Sequence, residues 1–112
     1  MKNNKPYVVA LGICKNEEKN LKRWHENVSK IADEVYLLDT GSLDSTVFHA
    51  KSLGIVVEYY ERESEDEPFS FARARNQALK LVPNNADWII FTDIDEVFAE
   101  ESIDIIRAIT RN

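Results

Sequence analysis

The chain has 112 residues, 44% of them hydrophobic and 30% charged, which suits one soluble domain around one modest core. Acids outnumber bases by 20 to 14, a net charge of -6, and without any Lys/Arg run this sets aside a general nucleic-acid binder. The lone cysteine, Cys14, excludes an intramolecular disulfide and a Cys-based zinc site. An acidic protein that handles phosphates needs a local correction, either a metal or a few placed arginines.

The first five residues are polar, and Tyr7 to Ile13 (YVVALGI) then reads as a strand buried on both faces. This apolar run is too short and too polar-flanked for a signal peptide or a membrane span, so the cytoplasm is the expected compartment. Cys14 ends the run and is expected to be a small buried packing residue. Glu17 to Ala32 carries Leu21, Trp24, Val28 and Ile31 at helical spacing. Glu34 to Asp39 is the second strand, and Asp44 to Leu53 a short helix that Gly54 ends in the left-handed conformation. Ile55 to Tyr60 is the third strand.

Glu61 to Glu67 holds five acids and one arginine before Pro68, a charge density that predicts a solvated loop. Phe69 to Val82 reads as a helix with Phe71, Ala74, Ala78 and Leu81 on one side. Pro83-Asn84-Asn85 turns the chain into a fourth strand, Trp88 to Asp93. Glu100 to Arg111 is a last helix with Ile103, Ile106 and Ile109 facing in. There are no repeats and no low-complexity tracts.

Strands alternating with helices predict an α/β, Rossmann-like parallel sheet with helices on both faces. In such sheets ligands bind beyond the carboxyl ends of the strands, where the strand order reverses. With order 3-2-1-4 the reversal lies between strands one and four. Three polar tips then share one edge: Cys14-Lys15-Asn16-Glu17, Asp39-Thr40-Gly41-Ser42 and Asp93-Ile94-Asp95.

The third tip is the most informative. An apolar run ends in Asp93-Ile94-Asp95-Glu96, and hard carboxylate oxygens with room for water and phosphate suit Mg²⁺ or Mn²⁺. The plain alternative for Asp93 and Asp95 is a solvated strand end, or caps for the following turn. Asp39, last in its strand, points into the crevice, where it can accept from a base N–H or ribose hydroxyls. Gly41 turns the following loop, and either Ser42 or Asp44 caps the helix. Asn16 fits a helix N-cap or the wall of a ligand pocket; Glu18 suits the first turn of the helix, and Glu17 fits either role. Of the two arginines near the start of the third helix, Arg75 beside Asn76 is the one assigned to the ligand side, as an arginine fork suits phosphate. His25 and His49 have no partner ligands at metal spacing and are expected to be surface or boundary residues.

Taken together, Ile13-Cys14-Lys15-Asn16-Glu17-Glu18, Asp39-Thr40-Gly41-Ser42-Leu43-Asp44-Ser45-Thr46, Phe71-Ala72-Arg73-Ala74-Arg75-Asn76 and Asp93-Ile94-Asp95-Glu96 resemble the N-terminal, nucleotide-sugar-binding half of family 2 glycosyltransferases, which have the GT-A fold. Two positions depart: Leu43 where Thr is usual, and Ser45 where a small residue, often Gly, is usual. The resemblance implies a nucleotide-diphosphate sugar donor, UDP-linked, with Mn²⁺ or Mg²⁺ joining Asp95 to the diphosphate. It implies nucleotide contacts from Asn16, Glu17, Asp39, Arg75 and Asp93, and transfer with inversion to an acceptor hydroxyl. The catalytic base of such enzymes lies in their second half, beyond Asn112 here. Residues 1–112 are thus read as a single donor-binding domain, the N-terminal part of a longer one. The alternative is a non-catalytic nucleotide-binding module with the same fold. Half a domain should expose apolar surface and associate through it. A signalling receiver is disfavoured because the first strand lacks a terminal acidic pair, and a nucleotidyltransferase because no Gly-rich loop follows that strand.

Overall fold

A computed structural model of the chain describes residues 5–111. Along the chain lie β1 (Val8–Cys14), α1 (Glu18–Val28), β2 (Glu34–Asp39), α2 (Thr46–Ser52), β3 (Val56–Tyr59), α3 (Phe71–Leu81), β4 (Trp88–Phe91) and α4 (Glu100–Arg111). The strands form one sheet in the order β3-β2-β1-β4, every neighbouring pair parallel. The expected α/β architecture and strand order are both present. Because all four strands run the same way, their carboxyl ends meet at one edge.

The alternation of side chains along β1 divides the core into two layers. Ala10 and Cys14 pack with Leu21, Trp24 and Val28 of α1 and Ala50 of α2, and Val8 packs with Ile103 of α4. Val9 and Leu11 face the other way, onto Ala74 and Ala78 of α3. α3 covers β1 and β2. Ile89 and Phe91 of the edge strand β4, in register with Val9 and Leu11, are left 41% and 36% exposed.

Several boundaries differ from the sequence expectation. α1 closes at Val28, and Ile31 and Ala32 follow in a turn whose amides bond back to the Val28 carbonyl. Even so, Ile31 is buried. α3 starts at Phe71, capped by Ser70, whose hydroxyl accepts from the Arg73 amide. Phe71 is half exposed, so the buried stripe of α3 reduces to Ala74 and Ala78. In α4 the inward set is Ile103, Ile106 and Thr110, whereas Ile109 is 54% exposed. At 100° per residue Thr110 returns to within about 20° of Ile103, while Ile109 sits about 120° away. Gly54 ends α2 with φ +81°, as expected.

Arg111 ties the amino edge together. Its guanidinium donates to the Pro6 and Ile31 carbonyls and to both carboxylate oxygens of Asp33. Asp33 in turn accepts from the Val8 amide at 2.9 Å. Among the described residues no helix is long and apolar enough to cross a membrane.

Candidate functional site

The β1 and β2 tips are stitched into one surface. Asn16 adopts a left-handed φ of 54°, a conformation that asparagine tolerates better than most residues. Its amide donates to Ser42 Oγ at 2.8 Å, and its Oδ1 accepts from the Leu43 amide at 2.7 Å. One position on, the Glu17 amide donates to Thr46 Oγ1 at 2.9 Å. Asn16 is therefore not the cap of α1. Glu17 holds that position, with no side-chain cap bond, and the asparagine side chain spans the two loops instead.

Asp39 is 4% exposed at the end of β2. Its Oδ2 accepts from the amides of Gly41 and Ser42, at 3.1 and 3.0 Å. Its Oδ1 accepts from the Ser42 hydroxyl and, at 3.5 Å, from the Cys14 thiol. All four acceptor positions of the carboxylate are engaged, three by the loop and one by the β1 thiol. Burial first, and then the Asp39 charge, push the Cys14 thiol far above its ordinary range. Cys14 is thus the inert packing residue expected from the sequence.

Beside these tips lie two adjoining hollows of about 400 Å³ each, sharing Lys15, Thr40 and Arg62 in their walls. One adds Cys14, Glu17, Phe69 and Phe71; the other adds Asp39, Gly41, Tyr59 and Tyr60. Glu17 and Asp39 therefore line these hollows. Arg75 is set back from it: the residue is exposed, and its guanidinium lies over the Phe71 ring, 5.1 Å from the centroid. Arg73 is ion-paired to Glu63 and Glu67, at 3.3 and 2.9 Å. Arg62 was not legible as a site residue, because a single arginine among five acids gives no periodic signal.

The β4 tip is built differently from the expected strand end. The ladder with β1 stops at Leu11–Phe91, and Asp93 to Glu96 form a turn in which the Glu96 amide bonds to the Asp93 carbonyl. Asp93, Asp95 and Glu96 are all exposed and offer carboxylate oxygens within 4.8 Å of one another. A hydrogen bond to Asp93 and the Asp93 charge raise the Glu96 carboxyl above its ordinary value. Such a set of hard, open oxygens fits a small divalent cation.

The turn is anchored by what lies between and behind the acids. Ile94 is 1% exposed in the core, so Asp93 and Asp95 flank a buried pivot. Gly12 makes room for it: a Cβ there would sit 2.5 Å from Ile94 Cδ1 and 3.0 Å from Trp24 Cζ2. From α1, Arg23 donates to the Asp95 carbonyl at 3.1 Å. One helical turn later, Asn27 pairs with both the amide and the carbonyl of Phe98, at 2.7 and 3.0 Å.

Asp39 ends β2 and Asp95 lies in the turn that follows β4, two strands that only β1 separates in the sheet, so both sit at the carboxyl edge. The β1 tip lies between them.

Comparison with known proteins agrees with this geometry. The chain is 34% identical over 104 residues to an uncharacterized glycosyltransferase of Rickettsia bellii, covering 91% of this chain and 32% of that one. It is 30% identical over 111 residues to the SPbeta prophage-derived glycosyltransferase SunS of Bacillus subtilis, covering 98% and 25%. Among solved structures, glucosyl-3-phosphoglycerate synthase from Mycobacterium tuberculosis in complex with UDP superimposes with a TM-score of 0.65 at 25% identity, covering 84% of this chain and 35% of that one. The same synthase with Mn²⁺, UDP and phosphoglyceric acid gives a TM-score of 0.62, again at 25% identity, covering 80% and 33%. These structural neighbours are GT-A glycosyltransferases, and the chain spans about a third of their length or less. The family model described as Glycosyl transferase family 2 matches residues 12–108, and the chain belongs to that family.

Proposed function

We propose that this chain is the donor-binding part of an inverting sugar transferase that takes a UDP-linked sugar and passes it to an acceptor hydroxyl. Residues 1–112 would form one nucleotide-sugar-binding domain, the N-terminal part of a longer transferase domain. The observation that carries the reading is the convergence of Asp93, Asp95 and Glu96 at the sheet edge that also holds the Lys15–Thr40–Arg62 hollow. That UDP and Mn²⁺ occupy the mycobacterial synthase supports it.

In this reading Asp95 holds Mn²⁺ or Mg²⁺ with help from Asp93 and Glu96. A dication there supplies charge neutralisation to the departing diphosphate. Glu17 shapes the nucleoside wall just after β1, and Asn16, bonded to Ser42 and Leu43, ties that loop to the β2 tip. Asp39 offers Oδ1 to an N–H of the base, and the Cys14 thiol, a weak donor, is the partner it gives up. Arg75, turned over Phe71, steadies the aromatic wall rather than reaching into the hollow. The base that deprotonates the acceptor belongs to the part of such enzymes that this chain does not span.

Calorimetric titration of UDP with and without Mn²⁺, on the wild type and on Asp95→Asn, tests the proposal. Metal-dependent heats lost in the variant support it. Equal heats with and without metal, unchanged by the substitution, refute it.

A further inference from the structure

Lys15 and Arg62 stand out in the hollow because nothing else uses them. Among the described residues neither side chain has an ion-pair or hydrogen-bond partner, although Arg62 sits between Glu61 and Glu63. Two of the five acids of its own loop are committed elsewhere. Glu63 and Glu67 are ion-paired to Arg73, and the Glu63 amide donates to Glu67 Oε2 at 2.8 Å. On the other side of Arg62, Gln77 of α3 holds the Glu61 backbone twice, accepting from its amide at 2.9 Å and donating to its carbonyl at 2.7 Å.

Arg62 is therefore flanked by two pinned residues, while its guanidinium is left free in the wall of the hollow. The far end of the loop is pinned as well. Tyr60 stacks on Phe69 with centroids 5.0 Å apart, and its hydroxyl accepts from the Ser70 amide at 3.2 Å. The two acids in the hollow are also occupied: Asp39 by four donors, as described, and Glu17 by Asn20 Nδ2 at 3.0 Å.

We propose that Lys15 and Arg62 form a two-cation subsite for the phosphoryl oxygens of the nucleoside diphosphate. The proposal rests on the donor reading above and deepens it. An arginine fork held by its neighbours loses little freedom on gripping a phosphate, and a lysine adds a second point charge. Lys15 follows β1 directly, the strand between the hollow and the Asp93–Glu96 turn. A diphosphate there reaches from the nucleoside hollow toward the carboxylates. The loop from Glu61 to Glu67 then acts as an anion-gripping arm, with Glu63 and Glu67 tying it to Arg73 of α3 while Arg62 stays unpaired.

The test is an NMR titration of the 112-residue chain with uridine and with UDP, both in Mg²⁺, on the wild type, Arg62→Ala, Arg62→Lys and Lys15→Ala. Both residues are exposed and unpartnered, so the variants fold as the wild type does. The expected result is about a tenfold or greater loss of UDP affinity in Arg62→Ala and Lys15→Ala, the scale of one charge-assisted hydrogen bond, with uridine affinity unchanged. Arg62→Lys recovers part of the loss, and added salt narrows the gap between the wild type and the alanine variants. If the wild type binds UDP and the alanine variants bind it equally well, the subsite is overturned and the donor reading stands. Equal losses for uridine and UDP also overturn it, since the cations would then touch the nucleoside. If the wild type binds no UDP, the donor reading fails and the subsite with it.

Discussion

Replacing Gly12 with alanine probes how the acidic turn is held. Gly12 is not in the left-handed region, so the cost of a side chain is steric. The new Cβ would lie 2.5 Å from Ile94 Cδ1 and 3.0 Å from Trp24 Cζ2, against an ordinary carbon–carbon contact of about 3.5–4.0 Å. Ile94 must recede by about 1 Å or more. As a flexible tip, Cδ1 would yield cheaply if it had somewhere to go, but Ile94 is 1% exposed and Trp24 fully buried. Overpacking of this kind costs about 1–3 kcal/mol, offset by up to about 1 kcal/mol because alanine restricts the unfolded chain. A net loss of about 1–2 kcal/mol is expected. Ile94→Val, which deletes the offending Cδ1, should cost about 0.5–1.5 kcal/mol alone. Together the two changes should cost at least about 1 kcal/mol less than their sum, since the clash is gone. Urea denaturation followed by tryptophan fluorescence measures all three. Additive losses in the double variant, or a neutral Gly12→Ala, would refute the idea that Gly12 exists to seat Ile94. Gly12→Ala should also weaken Mn²⁺ binding, because the pivot between Asp93 and Asp95 moves.

Asn27→Ala removes both bonds to Phe98 and should cost about 1–3 kcal/mol in the same denaturation assay; a change below about 0.5 kcal/mol would mean water replaces the carboxamide. Although partial burial pushes the Asp33 carboxyl up, the Val8 amide and Arg111 outweigh it and hold the group below its ordinary 3.8. Its folded value is therefore depressed, so the stability it brings is complete well above that pH and is lost as acid takes the pH below it. Arg111→Ala should cost about 2 kcal/mol at neutral pH, leave two backbone carbonyls short of a donor, and flatten the loss below pH 4. An acid titration by circular dichroism as steep as the wild type's would contradict this. Exposed Ile89 and Phe91 on β4 and Ile105 and Ile109 on α4 predict concentration-dependent self-association of this chain. Sedimentation showing only monomer at high concentration would count against it.

The layout was legible because its signals are local and periodic. Dense β-branched runs, amphipathic spacing and Gly54 fix which segments are strands and helices, and the alternation of the two fixes a parallel sheet whose tips share an edge. What the sequence does not display depends on contacts between segments far apart along the chain. Asn16 reads as a cap because an asparagine before two acids is the ordinary helix start. Only the tertiary fold shows its carboxamide bonded to Leu43, 27 residues away. Arg73 and Arg75 cannot be ranked by spacing, since the ion pairs to Glu63 and Glu67 form only once the loop folds back onto α3. Arg62 was hidden for the same reason. Gly12 carries no signal until Ile94, 82 positions later, is seen to fill the space its missing side chain leaves. The Ile109 error is of another kind: a stripe drawn by counting threes drifts off the face after two turns, and Thr110 has the better angle despite its hydroxyl, which donates to the Ile106 carbonyl at 2.8 Å.

Crystals of the chain grown with UDP and Mn²⁺, with data collected at the manganese absorption edge, would locate the dication without reference to any activity. The expected result is one anomalous peak within bonding distance of an Asp95 carboxylate oxygen, with the nucleotide against the wall formed by Lys15, Thr40 and Arg62. A peak away from the Asp93–Glu96 turn, or a nucleotide bound elsewhere on the sheet, would contradict the assignment of this edge as the donor site.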